Sequence, residues 1–194
     1  MDRKKKMMPI GPLMIEHRLI ERMIRQIDRA VQRMKQTGQA DIVFVDHAVD
    51  FIRTYADRCH HGKEENILFR ELAKKNIPPD HRRIMDELVA EHVWGRSKVA
   101  EIVAAKDRYV QGDKTASAAL ADAITALTAF YPKHIEKEDK GFFLPVMEHF
   151  SQAEKDQMLQ EGYDFDAGLI HEKYKMLVED FERAARVEES RKPR

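Results

Sequence analysis

Two stretches of ten residues decide the fold: residues 60–69 read HHGKEENILF, and residues 134–143 read HIEKEDKGFF. Both begin with histidine, place Lys-Glu and a second acid at the fourth to sixth positions, and end in phenylalanine. A histidine and a glutamate four positions apart on a helix differ by only ~40° around its axis. The repeated pattern therefore predicts two helices, each directing one imidazole and one carboxylate to the same place.

Apolar residues recur three and four positions apart along the chain, which predicts helices throughout. Four long helices are predicted over residues 12–35, 41–74, 80–109 and 114–148. The expected breaks and caps are Gly38, Pro78-Pro79 with Asp80 as N-cap, and Gly112-Asp113. Pro132 is expected to kink or split the fourth helix.

Beyond the fourth helix, Ser151 and Glu154 form a capping-box pattern that predicts a smaller helix, and a last helix is expected from about Asp166. Long helices with short links predict an all-α, up-down-up-down four-helix bundle with two additional C-terminal helices. The bundle is assigned to residues 12–150, and residues 151–194 form a C-terminal helical appendage and charged tail.

The composition narrows the class of protein. The chain has 194 residues, enough for one domain with a real core, and 35% of them are charged. Lys plus Arg and Asp plus Glu both total 34, so no net charge indicates nucleic acid or membrane as a partner. A single cysteine excludes an internal disulfide framework, and a cytoplasmic location is expected.

Each long helix carries a histidine in an apolar context: His17, His60 or His61, His92, and His134. If the His60–Glu64 and His134–Glu138 faces turn inward, two imidazoles and two carboxylates meet in the bundle core. Buried carboxylates facing each other are unfavourable unless a cation lies between them. Mixed histidine and glutamate ligands suit iron, and the set is too rich for one tetrahedral zinc.

The order H…HxxxE…H…HxxxE resembles the hemerythrin-like, or HHE cation-binding, family over residues 12–150. The matching pieces are Glu16-His17, His60 with Lys63-Glu64-Glu65, Glu91-His92, and His134 with Glu138 and Phe143-Leu144-Pro145. Hemerythrin domains of bacterial iron-centre repair proteins and the iron-sensing domain of an F-box ubiquitin-ligase subunit are similar. The resemblance implies two iron ions with a bridging oxo, hydroxo or water ligand. It implies that Glu64 and Glu138 bridge them and that His17, His60, His92 and His134 are terminal ligands.

The sequence departs from that pattern in three ways. Oxygen-carrying hemerythrins have a second histidine one turn before the equivalent of His92, where this chain has Leu88. Four histidines argue against reversible oxygen carriage. The cysteine-bearing segment of the repair proteins and an F-box or other output domain are also not found, which weakens iron repair and stand-alone sensing.

The function expected from these features is binding of, or reaction with, oxygen, nitric oxide or peroxide, used for sensing, detoxification or iron handling. Enzyme status stays open, with a peroxide- or nitric-oxide-consuming oxidoreductase as the enzymatic form. Expected partners are the small ligand and a redox or signalling protein. The alternatives are an iron delivery or repair factor and a metal-free helical interaction protein. Manganese or mixed metals stay open as substitutes for iron.

Several ligand choices stay open. His60 and His61 lie ~100° apart on an α-helix, so only one is expected to face the site, and His60 with Glu64 is favoured over His61 with Glu65. Glu21 and His171 are candidates for ligation or support, although an ion pair with a nearby arginine is favoured for Glu21. His47 is expected on the surface or lining a cavity, and His81 and His149 are expected on the surface. Cys59 is expected to be a buried, inert thiol.

Overall fold

The structure is a computed structural model that describes residues 7–113 and 115–169. Within those ranges the chain forms helices joined by short turns, and no strand occurs. The first helix, α1, spans Ile10–Thr37. It ends at Gly38, as predicted, because this glycine takes a left-handed φ of 71° and its N–H donates to the Met34 carbonyl.

The second helix, α2, begins at Ile42, where the N-cap Asp41 accepts a hydrogen bond from the Phe44 N–H at 3.0 Å. Its central part has π-helical hydrogen bonding. The segments of α2 are, in order, α-helical Ile42–Phe51, π-helical Ile52–His61 and Glu64–Phe69, and α-helical Arg70–Ala73.

The third helix, α3, spans Pro79–Val110. The expectation that Asp80 caps it is wrong, because the N-cap is Pro78, which makes no side-chain cap hydrogen bond. Proline has the φ of a first helical turn and needs no N–H there, so Pro79 opens the helix one residue earlier. The predicted turn at Gly112 is confirmed by its φ of 90°.

The fourth helix, α4, begins at Ala116 and runs through Pro132 in α-helical form to Glu136. The predicted splitting at Pro132 is therefore wrong, because packing against α1 and α3 supports the helix beyond the local preference of proline. After Glu136 the segments are π-helical Lys137–Phe142, α-helical Phe143–Val146 and a 3₁₀ turn at Met147–His149.

The fifth helix, α5, covers residues 152–169 up to the end of the described chain. Its capping box is confirmed: the Ser151 N–H donates to the Glu154 carboxylate at 2.8 Å, and the Glu154 N–H donates to the Ser151 hydroxyl at 3.3 Å. The expected start of a helix at Asp166 is wrong, since Asp166 lies inside α5.

Helices α1 to α4 pack as a ring in which each contacts its two neighbours. The all-α bundle predicted from the sequence is confirmed. Its interior has two apolar clusters, one around Ile24 and Leu127 and the other around Leu72 and Phe142. The histidines and glutamates lie along the helices between these clusters, so a polar layer separates two apolar ones. No described helix is long and apolar enough to cross a membrane.

Candidate metal centre

Seven polar side chains turn into the layer between the two apolar clusters, and each is at most 3% exposed. They come from all four bundle helices: His17 on α1, His60, His61 and Glu64 on α2, His92 on α3, and His134 and Glu138 on α4. The structure thus brings together all six residues expected from the sequence and adds His61.

His60 and His61 both face the interior, so the expectation that only one of them could do so is wrong. That expectation assumed an α-helix, whereas residues Ile52–His61 form a π-helix. Hydrogen bonds from i to i+5 widen the turn, which reduces the angle between neighbouring side chains. The second ligand-bearing segment also contains a π-helical stretch, Lys137–Phe142, and π turns are frequent at functional sites.

The side chains form two sets around two glutamates. The two-histidine set is His17 and His60, and the three-histidine set is His61, His92 and His134. Oε1 of Glu64 lies 3.3 Å from His60 Nε2, and Oε2 lies 3.4 Å from His92 Nε2. Each carboxylate oxygen therefore faces a different set.

Glu138 spans the two sets in the same way. Its Oε2 lies 3.1 Å from His17 Nε2, and its Oε1 lies 3.3 Å from His134 Nε2 and 3.8 Å from His92 Nε2. Two carboxylates that each offer one oxygen to each set have the arrangement of bridging ligands between two cations.

The histidines and glutamates of this layer leave the atoms that face one another without hydrogen-bond partners. Among the described residues, nine buried side-chain atoms have no hydrogen-bond partner, and all nine belong to these seven residues. They are the five imidazole Nε2 atoms and the four oxygens of Glu64 and Glu138. Buried polar atoms are normally paired, so nine that face one another form a set of donors suited to binding cations. The donor set fits a pair of metal ions.

The opposite nitrogen of four histidines contacts a carboxylate from a neighbouring helix. Glu16 of α1 lies 2.9 Å from His60 Nδ1, and Glu65 of α2 lies 2.7 Å from His92 Nδ1. The ring closes through two further pairs, Glu91 with His134 at 2.7 Å and Asp139 with His17 at 2.8 Å. A carboxylate at Nδ1 holds the proton there and directs the Nε2 lone pair towards a metal.

His61 is the exception to this ring, because its carboxylate comes from its own helix. Asp57 Oδ1 lies 3.3 Å from His61 Nδ1, the longest of the five histidine–carboxylate distances. The His61 ring instead stacks on the His92 ring, with centroids 3.9 Å apart.

A cation stands behind each carboxylate of the ring. Lys63 contacts Glu16, and Lys137 Nζ donates to Glu91 at 2.5 Å, so the lysine of each repeated segment supports the histidine three residues before it. Arg96 donates to Glu65 at 2.7 Å, and Arg18 contacts Asp139. These charge-assisted contacts hold the outer carboxylates in place.

The protonation of the layer without a metal is uneven. Burial, followed by the nearby Glu138 carboxylate, raises the pKa of Glu64 well above its usual value. Burial lowers the pKa of His60 to about 4 and that of His61 well below its usual value. Burial alone would also lower the pKa of His17, but the carboxylates of Asp139 and Glu138 raise it to about 9.

The other candidates lie away from this layer. Glu21 pairs with Arg18 at 3.3 Å, as expected. His47 is exposed and lines a surface groove. His81 and His149 are only partly exposed and contact each other, with His81 Nδ1 2.9 Å from His149 Nε2. The remaining candidate, His171, lies outside the described residues.

Cys59 is 8% exposed, and its thiol donates to Asp166 at 3.2 Å. Burial raises the pKa of this thiol to about 12, so it stays protonated at neutral pH. The expectation of a buried, unreactive thiol agrees with this environment.

The sequence prediction does not include carboxylates that hold the histidines from behind, and it considers Glu65 only as an alternative ligand with His61. A signal was present, because each of the four ring carboxylates is adjacent in sequence to an inward residue. The pairs are Glu16-His17, Glu64-Glu65, Glu91-His92 and Glu138-Asp139. A residue next to an inward side chain is rotated around the helix axis, which turns it towards the neighbouring helix.

Fold and site together define the chain as a helical-bundle protein with a buried cluster of histidines and glutamates that could hold metal ions. The profile of the hemerythrin HHE cation binding domain matches residues 8–144. The chain therefore belongs to the hemerythrin HHE cation-binding family. No curated protein and no solved structure shows a significant match.

Proposed function

We propose that this protein holds two iron ions between Glu64 and Glu138 and uses them to bind or react with oxygen, nitric oxide or peroxide. The observation that carries the proposal is the group of nine unpaired, buried donor atoms, divided between two sets that share both glutamates. Ion binding would satisfy all nine at once and remove the repulsion between the two buried carboxylates.

The donor chemistry favours iron. Imidazole suits iron, copper, nickel and zinc, whereas manganese and magnesium prefer mainly oxygen ligands. Five imidazoles with two carboxylates therefore favour iron over manganese. Structural zinc sites take four ligands, fewer than the five atoms that the three-histidine set offers to one ion, and catalytic zinc sites bind one ion through three protein ligands.

The two sets are unequal. The two-histidine set offers four ligand atoms, from His17, His60 and one oxygen of each glutamate. The three-histidine set offers five, because His61 joins His92 and His134. An external small molecule is therefore expected on the side of the two-histidine set, where fewer protein atoms compete for the ion.

His61 also removes an objection to ligand binding. Because Leu88 stands where oxygen-carrying hemerythrins have a histidine, the sequence predicts four histidine ligands, and this smaller set argues against reversible oxygen carriage. In the structure, Leu88 packs in an apolar cluster. The fifth imidazole comes instead from the residue beside His60. Reversible binding of a diatomic ligand is thus a function that the donor set supports.

The protein's own groups supply position and a dry environment. The ring carboxylates fix the five imidazoles, and Phe143 stacks on His17 at 5.6 Å between ring centroids. The apolar clusters above and below the polar layer exclude water. A ferrous pair, when bound, supplies up to two electrons and a coordination position. Whether the ligand is consumed depends on electron supply from a redox partner.

The decisive experiment is the metal content per chain after anaerobic purification, followed by an optical spectrum before and after oxygen is added. About two irons per chain and new near-ultraviolet bands of a ferric pair are expected. Reversal of the bands on removing oxygen would indicate carriage or sensing, and irreversible oxidation would indicate a catalytic use. A chain that contains no metal and takes up none from ferrous salt would contradict the proposal and favour a helical interaction protein.

A further inference from the structure

Lys63 is a buried lysine whose ammonium group lies between two carboxylates. Its side chain is 5% exposed and contacts Glu16 of α1. Its Nζ also donates to Asp166 of α5, at 2.6 Å to Oδ1 and 2.9 Å to Oδ2. A buried ammonium group needs such partners, because burial without them is strongly unfavourable. Asp166 therefore supports Lys63, which contacts Glu16, and Glu16 is the carboxylate that contacts His60.

Lys137 is the equivalent lysine of the second segment, and its surroundings differ. Its side chain is 29% exposed, and both of its carboxylates belong to α3. Nζ donates to Glu91 at 2.5 Å and lies 3.3 Å from Glu87, which is 43% exposed. Of these two lysines, Lys63 takes its outer carboxylate from beyond residues 8–144, the part of the chain that the family profile matches, and Lys137 does not.

The α5 helix is closely fitted to the first ligand segment. A Cβ on Gly62 would lie 2.9 Å from Cζ of Phe165, so glycine at this position allows the aromatic ring to approach the backbone. Cys59, one residue before His60, donates its thiol hydrogen to Asp166. Adjacent residues of α5 thus contact α2 on both sides of the His60–His61 pair.

From these contacts we infer that Asp166 is a positioning residue for the metal centre and that α5, through Asp166, helps to hold the ligand His60 in place. The inference rests on the proposed iron site. Asp166 acts through an unbroken chain of contacts: its carboxylate holds Lys63, Lys63 holds Glu16, and Glu16 holds Nδ1 of His60.

These contacts from Asp166 to His60 determine how strongly the Nε2 lone pair of His60 binds a metal ion. If Asp166 loses its charge, the Lys63 ammonium is balanced by Glu16 alone. Glu16 then attracts the Nδ1 proton less, which makes His60 a poorer donor. Ferric iron depends on strong donors and nearby negative charge more than ferrous iron does, so both effects favour the ferrous form. The midpoint potential of the iron pair should therefore rise.

The test compares Asp166→Asn with Glu161→Gln in the iron-loaded full chain. Glu161 also lies on α5, where it pairs with Arg70 through two contacts of 2.8 Å, and it takes no part in the contacts that lead from Asp166 to His60. Asp166→Asn should raise the midpoint potential and shift the ferric spectrum. It should also lower the affinity for one of the two irons, by an amount near the low end of the roughly 10- to 100-fold range for such partners. Glu161→Gln should leave all three unchanged.

A third variant, Asp166→Glu, keeps the charge and should restore the potential towards that of the wild-type protein. Unfolding temperatures of all variants separate loss of helix docking from loss of positioning. If Asp166→Asn lowers the unfolding temperature but leaves potential, spectrum and affinity unchanged, Asp166 is merely structural and the inference is wrong. Wild-type protein with two irons would still support the proposed function in that case. Wild-type protein without iron would overturn both.

Discussion

The bundle has two halves, one formed by α1 and α2 and the other by α3 and α4. Both halves carry the same arrangement of metal-site residues. Each half starts with Glu-His, at Glu16-His17 and Glu91-His92, and continues with the HxxKE segment. The carboxylate of each dipeptide holds the histidine of the following segment, and the last acid of each segment holds the dipeptide histidine of the other half. The correspondence extends from sequence to contacts.

One inward position breaks this correspondence. His61 follows His60 in the first half, whereas Ile135 follows His134 in the second, and both side chains are buried. His61 adds its imidazole to the set of the other half, beside His92 and His134. The inequality of the two ligand sets therefore comes from one residue. In the proposed iron site, the symmetric parts of the two halves would hold a pair of cations, and His61 would give the two cations different numbers of ligands.

The largest effect is expected from the glutamates that both halves share. Replacing Glu64 or Glu138 by glutamine removes a ligand from both ions, so the iron content should fall from about two per chain to below one. Glu136→Gln is a matched control, since Glu136 is 60% exposed and pairs with Lys140. Metal analysis after gel filtration measures the difference. Full iron content in both glutamine variants would contradict the ligand assignment.

The same glutamine variants separate loss of metal from loss of folding. Burial raises the pKa of Glu64, so its neutral form stabilises the metal-free fold at pH below the unfolded pKa, and this contribution is lost as pH rises through the folded pKa. Metal-free Glu64→Gln should therefore unfold at a temperature no lower than metal-free wild type near pH 7. Only the metal-loaded wild type should gain, by about 2.7 kcal/mol at a metal concentration 100 times Kd.

His61→Ile should make the two halves alike at the position that now distinguishes them. We expect iron to remain, because each ion keeps two histidines and both glutamates, but one iron should be released at chelator concentrations that leave the wild type intact. Azide titration should show a second ligand bound per iron pair, with Ile135→Val as the control. Unchanged chelator resistance and azide stoichiometry would show that His61 is not a ligand.

A difference in protonation between His17 and His60 gives a smaller, pH-dependent effect. The pKa of His17 is raised to about 9, and that of His60 is lowered to about 4. Protonated His17 stabilises the metal-free fold below pH 6.5, and this contribution is lost as pH rises through about 9. Metal must displace that proton, so apparent metal affinity should rise with pH between about 6.5 and 9.

Calorimetry in buffers of different ionisation enthalpy measures the protons released when metal binds. At pH 8, Asp139→Asn should release fewer protons than wild type, because the pKa of His17 falls when it loses the Asp139 carboxylate. Equal proton release by the two proteins would show that Asp139 does not hold the His17 proton.

The smallest effect is expected at the outer support of Lys137. Glu87→Gln should leave iron affinity and midpoint potential unchanged, since Glu87 is half-exposed and 3.3 Å from Nζ. Its matched partner, Glu91→Gln, contacts His134 directly and should lose roughly 10- to 100-fold in iron affinity. An equal loss in both variants would mean that the lysine, rather than the inner carboxylate, controls the histidine.

Most helix ends and turns of the bundle follow from local sequence patterns. The stop at Gly38, the turn at Gly112 and the Ser151–Glu154 capping box depend on a few neighbouring residues, so sequence predicts them. Two predictions are wrong, the split of α4 at Pro132 and the helix cap at Asp80, and each has its own reason. Packing carries α4 through its proline, and Pro79 opens α3 one residue before the expected cap.

By itself, the sequence determined the helices and the six residues expected to meet, because spacing of four on a helix places histidine and glutamate on one face. Only the tertiary structure decided that His61 joins them, since the π-helical turn departs from the regular geometry that spacing assumes. It also decided which carboxylate holds which histidine and that Asp166 holds Lys63, 103 residues away in sequence. Such contacts depend on which helices become neighbours, and local sequence patterns carry no information about that.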